Sequence, residues 1–375
     1  MCGRGYGPHI YNAGWFISCM DTAAFPRVVV DLEKLEHNTR TIVELAAHSG
    51  IEVTGVTKAC RGDPHVARAM LNGGAASLAD SRIENIIRMR QANINADLML
   101  LRTPQLSQAA DVVQHADISL NTEPAVIKAL SRASVQHDVV HRVLLMAELG
   151  ERREGIPREE LHRAVTLTLS LDNLELHGLG VNLTCLTGVI PTREKMLAFE
   201  TLVQDIQDTF GIRLAMVGAG NSANVPLMLQ GEHPATYINN LRVGEGILLG
   251  LETVNRNAIP GTHQDVFTVE AELIEVKDKP SLPDGELTQN AYGETPSFEN
   301  RGVITRGIVA LGRQDVITDG LTPLDDHVDI LAGSSDHLVL HLPDGYEVGD
   351  VVRFRPSYGA LVSAYTSEYV GAAYK

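Results

Sequence analysis

The sequence is poor in cysteine. Its 375 residues hold four, Cys2, Cys19, Cys60 and Cys185, with no CxxC pair and no regular spacing. That leaves no basis for a disulfide framework and fits a reducing, cytoplasmic location. The histidines are scattered, with no HExxH and no paired Cys/His spacing, so neither a structural nor a catalytic zinc site has support and no metal is expected. There is no run of Lys or Arg, and the net charge is -16. Nucleic acid and anionic membrane surfaces, which need a basic footprint, are therefore excluded as partners. No apolar run reaches the length of a transmembrane helix. Residues 1–25 carry Arg4 as their only basic residue and lack a continuous apolar stretch, so they do not read as a secretory signal. They read as an unstructured extension, with Met1–Cys19 alternatively a misassigned start.

What is present is apolar patterning. Hydrophobic residues make up 44% of the chain and charged ones 21%, a globular composition with enough apolar mass for a large core and two domains. Arg27–Asp31 is a β-branched strand, after which Asp31 caps a helix with Leu35, Ile42, Leu45 and Ala46 at helical spacing. Glu52–Thr57 is a short buried strand that stops at Lys58. Asp63-Pro64 then opens a helix as N-cap and first-turn proline. The alternation continues: strand 75–79, capping box Ser81-Arg-Ile-Glu84 and helix, strand 97–101, helix 105–115, strand 117–120, helix from Thr122. Then come strand 142–149, helix 157–171, strand 174–183, helix from Thr192, strand 214–218, a short helix 224–230, and strand 239–242.

Eight strand–helix units counted from Val53 are the signature of a (β/α)8 TIM barrel. A doubly wound sheet suits eight units in about 200 residues less well. Past Gly261 the period changes to two. Phe267, Val269, Ala271 and Leu273 alternate with polar residues, as do Leu338, Leu340 and Leu342, which indicates an antiparallel β domain. Lys277–Asn300 is polar and turn-rich and reads as a long exposed loop. The expected organisation is an α/β protein with a barrel over 26–258 and a β domain over 259–375 that completes the active site. Strand 27–31 is a candidate to pack with the C-terminal domain.

Lys58 stands where a barrel strand ends, which is the catalytic face of such a fold. A desolvated lysine amine there can form a Schiff base with an aldehyde; a surface lysine is the plainer reading. Gly218-Ala-Gly-Asn-Ser-Ala-Asn224 lies between a strand and a helix. It matches a dinucleotide fingerprint only formally, because Asn239 and Asn240 stand where an acid for the ribose belongs. A phosphate cradle using Ser222 and backbone N–H groups fits better, with an ordinary turn as the alternative. Leu241-Arg-Val-Gly-Glu-Gly-Ile247 is a second glycine-rich strand end. In many barrels phosphate binds after strands 7 and 8, where both stretches fall. A lysine after strand 1 and a phosphate grip there together describe pyridoxal phosphate. They also permit other phosphorylated ligands and a Schiff-base aldolase.

The motifs Val56-Thr-Lys58, Gly62-Asp-Pro64, Ala79–Asn85, Arg153-Glu-Gly-Ile156, Val181-Asn-Leu-Thr-Cys185, Gly220-Asn-Ser222, Leu241–Glu245, Ala310–Asp315 and Gly333–His337 keep one order along the chain. In this the sequence resembles the alanine racemase family of fold-type III pyridoxal-phosphate enzymes, and most of all its ornithine racemase branch. The resemblance implies racemisation of a basic amino acid, ornithine or lysine, by a homodimer with shared active sites. It implies that Lys58 holds the cofactor covalently and serves as base on one face of Cα. Ser222, Gly244 and Tyr365 would bind the phosphate, with Asn221 and Glu245 in the same cofactor-binding motifs. Arg242 would face the pyridine nitrogen, leaving it unprotonated and favouring simple proton transfer. Arg153 would lie near the ring oxygen and the substrate carboxylate. Ser335 and Asp336 would enter the partner's site.

One position departs from the family. Arg313, in Gly312-Arg-Gln-Asp315, replaces the tyrosine that serves as opposite-face base, and arginine is a poor base. Tyr358, Asp336 and Cys185 are the candidates for that role. Asp336, Asp315 and Glu245 are the acids available to a distal ammonium. Two other readings are weaker. A pyridoxal-phosphate carrier would lack the β domain. A D-threonine aldolase or D-serine dehydratase relative would carry a His-x-Cys metal pair where this chain has Val352–Tyr358.

Overall fold

The computed structural model describes residues 25–375; the reading of residues 1–24 as an extension lies outside the described residues. Strand β1 (Arg27–Val30) leads to α1 (Leu32–Ala47). Asp31 caps that helix, its side chain accepting from the Lys34 N–H at 3.1 Å, and Leu35, Ile42 and Ala46 are buried along one face.

A closed parallel barrel follows, made of β2 (Glu52–Val56), β3 (Ser77–Asp80), β4 (Leu98–Leu100), β5 (Ile118–Asn121), β6 (His141–Met146), β7 (Leu174–Gly180), β8 (Met216–Gly218) and β9 (Asn240–Val243). β9 returns to pair with β2 and closes the ring. Seven buried residues fill the barrel interior, Val56, Ala79, Met99, Ile118, Leu120, Leu144 and Met146; the larger core lies between the barrel wall and the helices and continues into the C-terminal sheet through Phe267, Leu338 and Phe354. Those helices are α2 (Pro64–Asn72), α3 (Ile83–Gln91), α4 (Ala109–His115), α5 (Pro124–Gln136), α6 (Arg158–Leu169), α7 (Arg193–Phe210), α8 (Val225–Leu229) and α9 (Glu245–Leu248). The Asp63 and Thr192 caps form as the sequence suggests.

The capping box at Ser81 and Glu84 does not form. Arg82 occupies the cap position without a side-chain bond. The buried Asp80 takes over: Oδ1 accepts from the Arg82 N–H at 3.0 Å and from Asn85 at 2.9 Å, while Oδ2 accepts from the Thr57 hydroxyl at 2.8 Å. One carboxylate thus secures two strand ends. Burial pushes it above the usual carboxylate range.

The antiparallel sheet runs in the order β12 (Leu321–Pro323), β15 (Val351–Pro356), β10 (Phe267–Pro280), β11 (Val303–Val309), β14 (Leu338–His341), β13 (Asp329–Gly333). β1 joins it, antiparallel to β10 and parallel to β16 (Gly371–Tyr374). Two expectations need correction here. Lys277–Pro280 is not loop but the end of β10, paired with Val303–Arg306, so the exposed loop is 281–302. A helix, α10 (Tyr358–Thr366), stands where only strands were expected. Ser357 caps it, and it packs on the Lys58 turn.

His141 lies buried at the start of β6, 2.7 Å from the Ser119 hydroxyl. Burial, reinforced by the Arg142 charge, lowers it from 6.5 to about 4. The unfolded chain takes up this proton below pH 6.5 while the folded chain stays neutral to about pH 4. Acid therefore favours unfolding across that window, by roughly 3 kcal/mol once it is complete. The expected result is that a His141→Asn variant loses less stability than wild type between pH 7 and pH 4.5, measured by thermal unfolding.

Candidate active site

The site lies at the carboxyl ends of the barrel strands, in a cavity of about 260 Å³. Lys58 reaches it from a rigid turn. Thr57 is held by its N–H to the Ala79 carbonyl at 2.9 Å and by its hydroxyl to Asp80. A single 3₁₀ turn, Lys58–Cys60, then ends at Arg61 and Gly62, with φ of 52° and 63°. A Cβ on Gly62 would lie 2.8 Å from the Asn85 carbonyl oxygen, so only glycine lets the turn close. The Lys58 side chain is exposed at the cavity and has no hydrogen bond or ion pair among the described residues.

Arg242 forms the floor. It is 4% exposed. Its Nη2 donates to the Val181 carbonyl at 2.6 Å, but its Nη1 is buried without a partner. Gly218 makes room for it: a Cβ there would sit 2.3 Å from Nη1. Burial lowers this guanidinium to about 10, against the raising influence of Cys185 and Glu154. Beside it, two turns meet. The Asn221 side chain accepts from the Ala223 N–H at 2.8 Å, and the Ser222 hydroxyl accepts from the Gly246 N–H at 3.0 Å. Gly244 abuts β2, where a Cβ would come 3.3 Å from Val56.

Arg153 lines the same cavity. Its guanidinium bonds Glu154, with Nη2 to Oε1 at 2.6 Å, and this bond chiefly keeps it fully charged. Glu245 lines the cavity but is ion-paired with Arg256, so it is not the free acid expected for a substrate ammonium.

Lys58, Arg153, Asn221, Ser222, Arg242, Gly244 and Glu245 thus come together. Four other expected residues are not in this wall. The Tyr365 hydroxyl is buried beside Cys60 and Asp63 with no partner in hydrogen-bond geometry; Tyr358, two turns earlier on α10, lines the cavity instead. Arg313 holds Glu294 of the 281–302 loop at 2.8 and 2.9 Å and stacks 4.3 Å from the Tyr292 ring. Asp336 is exposed beside Gln314, whose amide donates to it. Asp315, the third acid, is buried and accepts from the Gly312 N–H at 2.8 Å, which fixes its own loop.

Asn182 and Arg256 are polar wall residues that the sequence did not point to. Asn182, whose Nδ2 is buried without a partner, lies in the Val181–Cys185 motif, which was its only signal. Arg256 follows β9 in a stretch with no pattern. Among the described residues, no group of three or more His, Cys, Asp or Glu is placed to hold a metal ion, and no helix is long and apolar enough to cross a membrane.

Residues 30–251 match the family model of the alanine racemase N-terminal domain, and relatives extend the match along the chain. The ornithine racemase of Acetoanaerobium sticklandii is 38% identical over 92% of this chain and 98% of its own length. This chain belongs to the alanine racemase family. The lysine racemase of Thermotoga maritima is 37% identical over 94% of this chain and 99% of its own. Among solved structures, alanine racemase of Clostridium difficile 630 superposes with a TM-score of 0.75 at 17% identity, covering 94% of this chain and 96% of that one. D-threonine aldolase from Filomicrobium marinum shares the fold, with a TM-score of 0.70 at 16% identity over 91% and 88%. The family's barrel and antiparallel sheet are those described above.

Proposed function

We infer that the protein is a pyridoxal-phosphate-dependent racemase of basic amino acids, ornithine or lysine. The observation that carries the cofactor is Arg242. A buried N–H without an acceptor, facing a cavity that also holds an unpaired lysine amine, calls for a ligand bearing a lone pair. The unprotonated ring nitrogen of pyridoxal phosphate meets that need. Ser222 and the 244–246 backbone suit its phosphate, and Lys58 its aldehyde. The high identity to an ornithine and a lysine racemase supports the substrate class.

Bound here, the cofactor supplies an electron sink that acidifies the substrate Cα–H. The chain does the rest. Lys58 takes or returns that proton on one face. Arg153 orients the substrate carboxylate. Arg242, as a fixed cation, leaves the ring nitrogen unprotonated, which restricts the site to simple proton transfer. Residues 26–258 form the cofactor-binding unit, and 259–375 complete the site.

The Ser335–Asp336 turn is exposed and outside its own chain's cavity, which supports a homodimer in which this turn enters the partner's site. Asp336 then meets the distal ammonium of the substrate. Asp336→Asn is expected to raise KM for ornithine about 10-fold with little change in kcat, a loss of roughly 1.4 kcal/mol; steady-state kinetics check it.

The decisive experiment incubates protein and pyridoxal phosphate in D2O with L-amino acids, following Cα–H by NMR and product chirality by chromatography. D-ornithine or D-lysine, without D-alanine, is the expected outcome. Tight cofactor binding without exchange would overturn the racemase reading.

A further inference from the structure

Racemisation needs proton carriers on both faces of Cα. Lys58 serves one. Arg313 does not serve the other, being always protonated and ion-paired to Glu294. We propose that the Cys185 thiol is the proton carrier facing Lys58. This rests on the racemase reading and supplies its missing half.

Place is the first argument. Cys185 lines the cavity with an exposed thiol, on the loop after β7. Lys58 follows β2. Around the ring the path from β7 through β8 and β9 to β2 is three steps of eight, which sets the two side chains across the barrel mouth from one another. The Arg242 guanidinium lines the same cavity, pinned to Val181 in the thiol's own motif, with its buried, unpartnered Nη1 beside Gly180 and Gly218. A ligand that satisfies that N–H shares one cavity with both the amine and the thiol.

Preorganisation is the second. The buried Glu151 carboxylate gathers the loop on both sides of Cys185, accepting from the Thr184 N–H at 2.9 Å, the Leu186 N–H, and the Thr187 N–H at 3.2 Å. Burial would raise this carboxyl, but these donors outweigh it and hold it below the usual range. The sulfur accepts from the Asn221 amide at 3.5 Å and lies against the Arg153 guanidinium. A thiolate formed there faces donors and positive charge.

Elimination is the third. Tyr358 sits on α10, which packs against the Lys58 turn, so it shares Lys58's side of the mouth. Burial also raises its hydroxyl well above the usual range, so it stays protonated and does not take the Cα proton. Glu154 and Glu245 are each bound to an arginine.

In one direction the Lys58 amine takes the Cα hydrogen as a proton, leaving the bonding pair on the substrate. The Cys185 S–H delivers a proton to the other face and becomes thiolate. The reverse reaction exchanges the roles, and the exposed mouth lets solvent restore the starting protonation. Nothing is oxidised or reduced.

The test uses full-length protein with Cys185→Ala and Cys185→Ser. Both are expected to lose racemisation by ~10²–10⁴-fold while keeping solvent-deuterium exchange at Cα for one ornithine enantiomer only. Lys58→Ala loses exchange from both. On cofactor-free protein, iodoacetamide alkylation of Cys185 at pH 7, followed by peptide mass spectrometry, is expected to slow about 3–10-fold in Arg153→Met, with Cys60 unaffected. Wild-type racemisation in Cys185→Ala, equal loss of exchange for both enantiomers, or an unchanged alkylation rate would each overturn the proposal. A wild-type protein that racemises no amino acid would instead overturn the racemase reading, an outcome the variants cannot produce.

Discussion

Lys58→Ala is expected to abolish covalent attachment of pyridoxal phosphate, with loss of its long-wavelength absorbance, and to lower racemisation of ornithine by ~10⁴-fold or more. The fold should be indifferent. Lys58 is exposed and makes no side-chain bond among the described residues, so its removal should change stability by less than about 0.5 kcal/mol. The backbone of the turn, fixed through Thr57, Gly62 and Asp80, does not depend on the amine. A visible spectrum of bound cofactor identical to that of the wild type, with the cofactor still attached to the denatured protein after borohydride reduction, would show that another residue holds it. Unfolding of the variant would show that the turn needs the amine after all. The two outcomes separate under absorbance and thermal melting of the same sample.

Gly178→Ala is expected to be the most damaging single-methyl change in the barrel. A Cβ there would fall 1.8 Å from the Met216 carbonyl oxygen and 2.7 Å from its carbon, both backbone atoms of the paired strand. No side chain can swing away to admit it, so β7 and β8 must part. β7 leads into the Cys185 loop and β8 into the Asn221–Ser222 turn, and the damage reaches the site directly. Overpacking of this kind costs about 3 kcal/mol or more, read as a large fall in melting temperature or failure to accumulate as folded protein. Gly188→Ala is the control. It has open space around it but a φ of 73°, so it should cost only the backbone strain, about 1–2 kcal/mol. Equal melting temperatures for the two variants would mean that β7 and β8 separate without penalty.

The barrel was legible because each strand is a short apolar run bounded by a cap or a glycine, and burial on both faces leaves that pattern unbroken. The Asp63 and Thr192 caps were readable for the same local reason. What escaped depends on distance in sequence. Asp80 displaced the Ser81 capping box because its second oxygen serves Thr57, 23 residues earlier. Glu245 looked like a free acid because its partner Arg256 lies in a stretch without periodicity. α10 escaped because Tyr358–Thr366 is apolar nearly all round: it packs on both the β sheet and the Lys58 turn, so no polar face announces a helix. That same packing places Tyr358, rather than Tyr365, at the cavity. The Lys58, Ser222 and Arg242 stretches were legible because strand-end chemistry is local. How Arg313 engages the 281–302 loop was not, since ion pairs across a β domain leave no spacing to read.

The pairing of β1 with β16 sets a schedule for biosynthesis. Arg27 lies opposite Gly371, so 344 residues, 371 less 27, separate the two partners. At about 5–20 residues per second, the ribosome needs roughly 20–70 s to deliver the second strand after the first. Throughout that interval the Arg27-Val-Val-Val30 segment has no neighbour on its parallel edge, while the barrel that follows it is free to close. Nascent chains stalled before residue 371 should therefore bind holdase chaperones through this β-branched segment, long after the barrel has become protease-resistant.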